Sequence, residues 1–161
     1  MVGMIAHHTQ AVLLSGWALT HDAGSSVRAL CERIAVSQRD EIAFMQRWLR
    51  ERHQAAPDTA GQAMAGMAMN RGALMPGMLT AEQLAELDGA RGPQFDRLFL
   101  RFMIQHHSGA LTMVQQLLGQ PGAARDGQVF QFASDVNAGQ SAEIERMRRM
   151  LAALTIGEGS Q

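Results

Sequence analysis

A chain of 161 residues with 47% hydrophobic side chains fits one domain with a real core and is too apolar for a disordered segment. Its 14 basic residues, all Arg, stand against 15 acidic ones for a net charge of -1, and no basic stripe interleaved with aromatics marks a nucleic-acid partner. Cys31 is the one cysteine, which excludes an internal disulfide framework and multi-cysteine zinc or iron–sulfur sites; no apolar run reaches the roughly 20 residues of a membrane span.

The first helix is expected from about Met4 to His21. Asp22-Ala23-Gly24-Ser25 reads as a turn, with Gly24 suited to a helix C-terminus and Ser25 to an N-cap. A second helix runs from about Ser26 to Arg52, its apolar stripe formed by Val27, Leu30, Ile34, Met45 and Trp48 at three- and four-residue spacing. Ala55 to Met78, rich in Ala, Gly and Met, reads as an irregular crossing. Thr80-Ala81-Glu82-Gln83 has the form of a capping box, opening a short helix to about Leu87. Gly92-Pro93 should separate it from a long helix over about Gln94 to Leu118, which Gln120-Pro121-Gly122 breaks. The last helix spans about Gly127 to Leu154 with stripe Val129, Phe132, Val136, Met147 and Leu151.

An internal repeat underlies this order. Met4-Ile5-Ala6-His7-His8 returns as Met103-Ile104-Gln105-His106-His107, offset by 99. Gln38, Glu41, Ile42, Met45, Arg47 and Leu49 return as Gln140, Glu143, Ile144, Met147, Arg149 and Leu151, offset by 102. Duplication is the simplest account. The fold expected is all-α, a ferritin-like four-helix bundle of two duplicated antiparallel hairpins with one long crossover. Repeat one covers about 4–53, the Met-rich connection about 54–92 and repeat two about 94–154, within a single domain 1–161.

The chemistry is suggested by polar residues in apolar stripes. Gln38 and Glu41 continue the core series of the second helix, and Gln140 and Glu143 do so in the last. A carboxylate there is costly unless paired or bound to a cation. Counting outward from each turn brings Gln38 and Glu41 level with His7 and His8; Gln140 lies beside the level of His106 and His107, with Glu143 about one turn away. Met4 and Met103 precede their His pairs by one turn and share a face with them. Adjacent histidines point about 100° apart, so one of each pair should face the core and the other serve as support or lie at the surface. A single His pair would read as structural; its repetition opposite core Gln and Glu favours a metal site. His7, His8, His106 and His107 are the expected ligands, with Met4, Met45, Met103 and Met147 as soft donors. Glu41 and Glu143 would ligate the metal or orient the imidazoles.

Other features weigh less. The 12 Met suit either flexible core filling or thioether ligation, and Met64, Met67, Met69, Met75 and Met78 in the connection divide evenly between those roles. Cys31 reads as a small buried residue, and His21 and His53 as helix C-terminal residues favoured by the dipole. Trp17 and Trp48 read as core or boundary. No phosphate-binding Gly loop, nucleophile elbow or Ser/His/Asp order is visible.

The blocks Met4-Ile5-Ala6-His7-His8-Thr9-Gln10-Ala11 and Phe95 through Ala110, together with Met75-Pro76-Gly77-Met78, resemble a bacterial domain-of-unknown-function family that includes the CopM-type copper-binding proteins. That resemblance implies a ferritin-like fold, export to the periplasm or cell surface, and Cu(I) or Ag(I) binding in metal resistance. No signal peptide is visible, and the first motif starts at Met4, which leaves room for a removed N-terminal segment. Thioether with imidazole suits Cu(I), so the leading expectation is a non-enzymatic protein that sequesters or transfers copper, another transition metal being the alternative cargo. The partners expected are the metal ion and, as an open option, a second copy of the chain. The rivals are a di-iron or di-manganese oxidoreductase, disfavoured by the lack of Glu-x-x-His motifs on the second helices, and a structural bundle without metal.

Overall fold

The helical periodicities resolve into five helices in the computed structural model, which describes residues 1–58, 74–122 and 125–158. They are α1 (Val2–Gly16), α2 (Ser25–Glu51), α3 (Ala81–Gly89), α4 (Gly92–Leu118) and α5 (Gly127–Glu158), with a 3-10 turn at Trp17–Leu19. The fold is all-α, and the described residues contain no strand. No described helix is long and apolar enough to cross a membrane. Met64, Met67 and Met69 lie outside the described residues; Met75 and Met78 are half-buried.

Two compact units emerge, Met1–Met75 with Leu79–Phe99, and Pro76–Met78 with Leu100–Gln161. In the first, α1 and α2 form an antiparallel hairpin, joined by α3 and the opening turns of α4. Ile5, Leu14, Leu30, Ile34, Leu87 and Phe95 are among its fully buried side chains.

The first helix stops well before the expected His21. Its last turn tightens to 3-10, and Asp22 takes a left-handed conformation (φ 53°). His21 thereby turns inward instead of capping a helix C-terminus. Its Nε2–H donates to Asp88, to the carboxylate Oδ1 and the backbone carbonyl, each at 3.1 Å, and Nδ1 accepts from Thr20 Oγ1 at 2.9 Å. The ring stacks on Trp17 at 5.5 Å and leans on Phe95 at 5.1 Å. These distant partners outweigh the local helical preference. His53, by contrast, sits just past α2 in a left-handed conformation (φ 54°) and is exposed.

Ser25 does not cap α2. Gly24 holds the N-cap position and has no side chain to offer; its N–H donates instead to both oxygens of Asp96, at 3.2 and 3.1 Å. Asp96 is buried, which pushes its carboxyl above the usual carboxylate range against the lowering pull of that N–H. Burial, with Asp96 adding to it, pushes the Cys31 thiol up to about 12, so Cys31 is an inert core residue as expected.

The capping box at Thr80 forms with both reciprocal bonds, at 3.2 and 3.0 Å. Gly92-Pro93 does not stand between helices but opens α4, with Gly92 at φ 55°. A proline in a first helical turn loses no hydrogen bond, because its N–H would be unpaired there anyway.

The second unit contains α4 from Leu100, α5 and the Pro76–Met78 segment. The link after Leu118 turns through Gly122 (φ 89°), and Asp126 caps α5 by accepting from the N–H groups of Gln128 and Val129. Helix α5 extends past the expected Leu154 to Glu158. The Pro76–Met78 segment presses on α4 where neither backbone carries a side chain. A Cβ on Gly109 would fall 1.9 Å from the Pro76 carbonyl oxygen, and one on Gly77 (φ 78°) 2.6 Å from that of Gln105.

Candidate metal centre

All four histidines of the two pairs are fully buried, at 0% exposure. Of the two places expected for the other histidine of each pair, support or surface, the surface is excluded. Around this level α1 is enclosed on most sides, with Ile5, His7, His8, Thr9, Gln10 and Ala11 all buried, so a 100° turn between neighbours does not reach solvent. The paired rings have matching geometry, 6.3 Å and 55° for His7 and His8, 6.2 Å and 56° for His106 and His107.

The second histidine of each pair meets the carboxylate from the facing helix. His8 Nε2–H donates to Glu41 Oε2 at 2.5 Å, and His107 Nε2–H to Glu143 Oε2 at 2.7 Å. A carboxylate can only accept, so the proton lies on Nε2 in both. The placement of Glu41 and Glu143 opposite the pairs is as counted from the turns. Their burial is less than a core stripe implies: the side chains are 21% and 16% exposed, at the rim. Ser37 Oγ also donates to Glu41 Oε1 at 3.5 Å.

On the far side of each imidazole, Nδ1 of His8 and of His107 is buried without a hydrogen-bond partner among the described residues. The same holds for Oε1 of Gln38 and Gln140, which are 1% and 3% exposed in the apolar stripes as expected. Buried lone pairs without partners cost free energy in an apolar interior, on the order of 1–3 kcal/mol each, unless something binds them.

The thioethers follow from register. In each antiparallel hairpin the His–Glu bond sets one level. Met4 lies four residues before His8 and Met45 four after Glu41, so both fall one turn further along, at a common level. Met103 and Met147 stand the same way about His107 and Glu143. Met45, Met103 and Met147 are fully buried and Met4 half-buried. No described group of three or more His, Cys, Asp and Glu side chains could hold a metal by itself. Among the described residues, the thioethers and amides at this level are the further side-chain donors that could join the imidazoles.

A family model described as a domain of unknown function, DUF305, matches residues 1–151. The chain belongs to the DUF305 family. Among solved structures, it is 27% identical to a DUF305 protein from Streptomyces coelicolor provisionally named as secreted, covering 94% of this chain and 89% of that one at a TM-score of 0.77. A DUF305 fragment from Deinococcus radiodurans is 29% identical over 93% and 91%, TM-score 0.74. CopM in its Cu(II)-bound form is 27% identical over 94% and 93%, TM-score 0.71. No curated protein matches the chain.

Three placements in this DUF305 chain escape sequence reasoning. Gln10 clasps the Leu79 backbone, its Oε1 accepting from the N–H at 2.9 Å and its Nε2 donating to the carbonyl at 3.3 Å. Gly109 admits the Pro76–Met78 segment, and Asp96 caps α2. Gln10 did leave a signal, a polar residue three positions after His7 on an enclosed helix.

Proposed function

We propose that this protein binds Cu(I) or Ag(I) as cargo, sequestering the ion or passing it on outside the cytoplasm, and that it is not an enzyme. The observation that carries the reading is the twofold imidazole arrangement. In each hairpin a buried imidazole is held at Nε2 by a carboxylate, and its Nδ1 lone pair has no hydrogen-bond partner among the described residues. A carboxylate on one ring nitrogen fixes the tautomer and raises the basicity of the other, the usual arrangement behind a metal-bound histidine. His8, Met4 and Met45 would supply the donors in one hairpin, and His107, Met103 and Met147 in the other, with His7 and His106 as the adjoining imidazoles. Glu41 and Glu143 orient, rather than ligate. Imidazole with thioether selects a soft monovalent ion over Zn(II) or Mn(II). The likeness to CopM, solved with Cu(II) and with Cu(I), supports copper, and the likeness to a protein named as secreted supports a periplasmic or extracellular site of action.

Competition titrations under reducing conditions test the reading. Cu(I) and Ag(I) should bind more tightly than Zn(II) and Mn(II), and X-ray absorption of the Cu(I) form should contain both nitrogen and sulfur scatterers. A preference for Mn(II) or Fe(II) with oxygen-dependent turnover would sink it in favour of the oxidoreductase. Failure to retain any metal would leave a structural bundle.

A further inference from the structure

The two hairpins present the same His–Glu pair but differ one helical turn beyond the buried methionine. Three residues after Met45 stands Trp48; three residues after Met147, at the matching place, stands Met150. Residues three apart on a helix share a face, so Met150 extends the Met103–Met147 level with another thioether. Met150 is half-buried, able to pack against that level and still open toward incoming solute. Trp48 offers no equivalent. Its indole Nε1, a donor only, is buried without a hydrogen-bond partner among the described residues, and the Arg52 guanidinium lies 4.2 Å from the ring centroid. One ring face is thus covered by the Arg52 side chain, which is itself paired with Glu51. At the place matching Arg52 the second hairpin has Leu154, which carries no charge.

We propose that the hairpins are unequal soft-metal sites: Met150 is a third thioether donor in the second, which fills first, and Trp48 with its stacked Arg52 makes the first the weaker site. This rests on the metal-binding reading above and assigns Met150 a ligand role of its own. The physical ground is donor count. A soft monovalent ion gains from each added thioether, and at that place the first hairpin offers an indole in its stead.

The test uses protein with 13C-labelled methionine methyl groups, titrated with Ag(I), which is redox-inert. Over the first equivalent the methyl signals of Met103, Met147 and Met150 should move while Met45 stays still; Met45 should follow over the second. The Met150→Leu variant should weaken the second hairpin about tenfold, the scale of losing one supporting group at a metal, so that Met45 moves in the first equivalent as well. Trp48→Met, which leaves the second hairpin untouched, should bring the two sites into step. Met45 moving together with or ahead of Met147 in the unaltered protein overturns the inequality and leaves metal binding standing. An unchanged filling order in both variants overturns it as well. Ag(I) retained by neither hairpin overturns both the inequality and the reading beneath it.

Discussion

Two residues after the second histidine, one hairpin carries Gln10 and the other Gly109, and the difference decides how each holds the segment that crosses it. Gln10 reaches out with a side chain and takes both backbone groups of Leu79. Gly109 withdraws, and the Pro76–Gly77 backbone settles against the bare helix, helped by Gln105 Nε2 donating to the Gly77 carbonyl at 3.4 Å. One solution is polar and directional, the other steric. Each fixes its own stretch of the crossing within about one turn of the buried histidine pair of that hairpin.

Substitution should separate the two solutions, and the steric one should be less forgiving. Gly109→Ala in an ordinary helix would gain about 1 kcal/mol from helix propensity. Here the added methyl meets backbone that has no rotamer to yield, and overpacking of this kind costs about 3 kcal/mol. Urea unfolding should therefore report a net loss; a gain would mean that the crossing segment lifts away freely. Gln10→Ala removes two hydrogen bonds worth about 1 kcal/mol each and strands two buried backbone groups, for a loss of about 2 kcal/mol. A loss below experimental error would return Gln10 to a bystander.

The His–Glu pairs sharpen the comparison from the other side, because there the hairpins agree. Glu41→Ala and Glu143→Ala should each weaken Cu(I) binding at their own hairpin by about 10- to 100-fold, with helicity unchanged by circular dichroism. If one variant binds as the unaltered protein does, the matched geometry does not reflect a matched role.

The smallest effect belongs to Asp96, a feature of the first unit alone. Its carboxyl is held above the usual range, so the folded chain binds that proton more tightly than the unfolded chain does. The sign follows: its contribution is most favourable at low pH and is lost as pH rises from about 4 through the raised value. Asp96→Asn keeps one acceptor for the Gly24 N–H and removes the titration. Stability at neutral pH should change by less than about 1 kcal/mol, and the loss of stability that Asp96 adds as pH rises from about 4 should disappear. A slope identical to that of the unaltered protein would assign the titration elsewhere.

Much of this was readable in residue order because it is periodic. The apolar stripes located the helices, and counting from the turns placed Glu41 and Glu143 against the histidine pairs. What escaped depends on contacts far apart in sequence. Ser25 is a good N-cap by local rule, but Asp96 arrives from 72 residues away and caps α2 through Gly24 instead. The helical pattern running to His21 was overridden by Asp88 and Phe95, neither of which a local window contains. Full burial of both histidines in each pair needed the surrounding elements in place, since one helix viewed alone always has an outer side.

The clasp on Leu79 has a consequence for how the crossing can vary. A primary amide presents a donor and an acceptor side by side, as an extended strand does at one residue. Gln10 therefore gives Leu79 a single rung of sheet pairing, supplied by a helix. A chain anchored by one such rung needs no neighbouring strand to satisfy its backbone at that point. Changes in length and composition before Pro76 leave that rung intact, so long as position 10 keeps its amide and residue 79 avoids proline, while Pro76 and Gly77 stay bound by their own fit against Gly109.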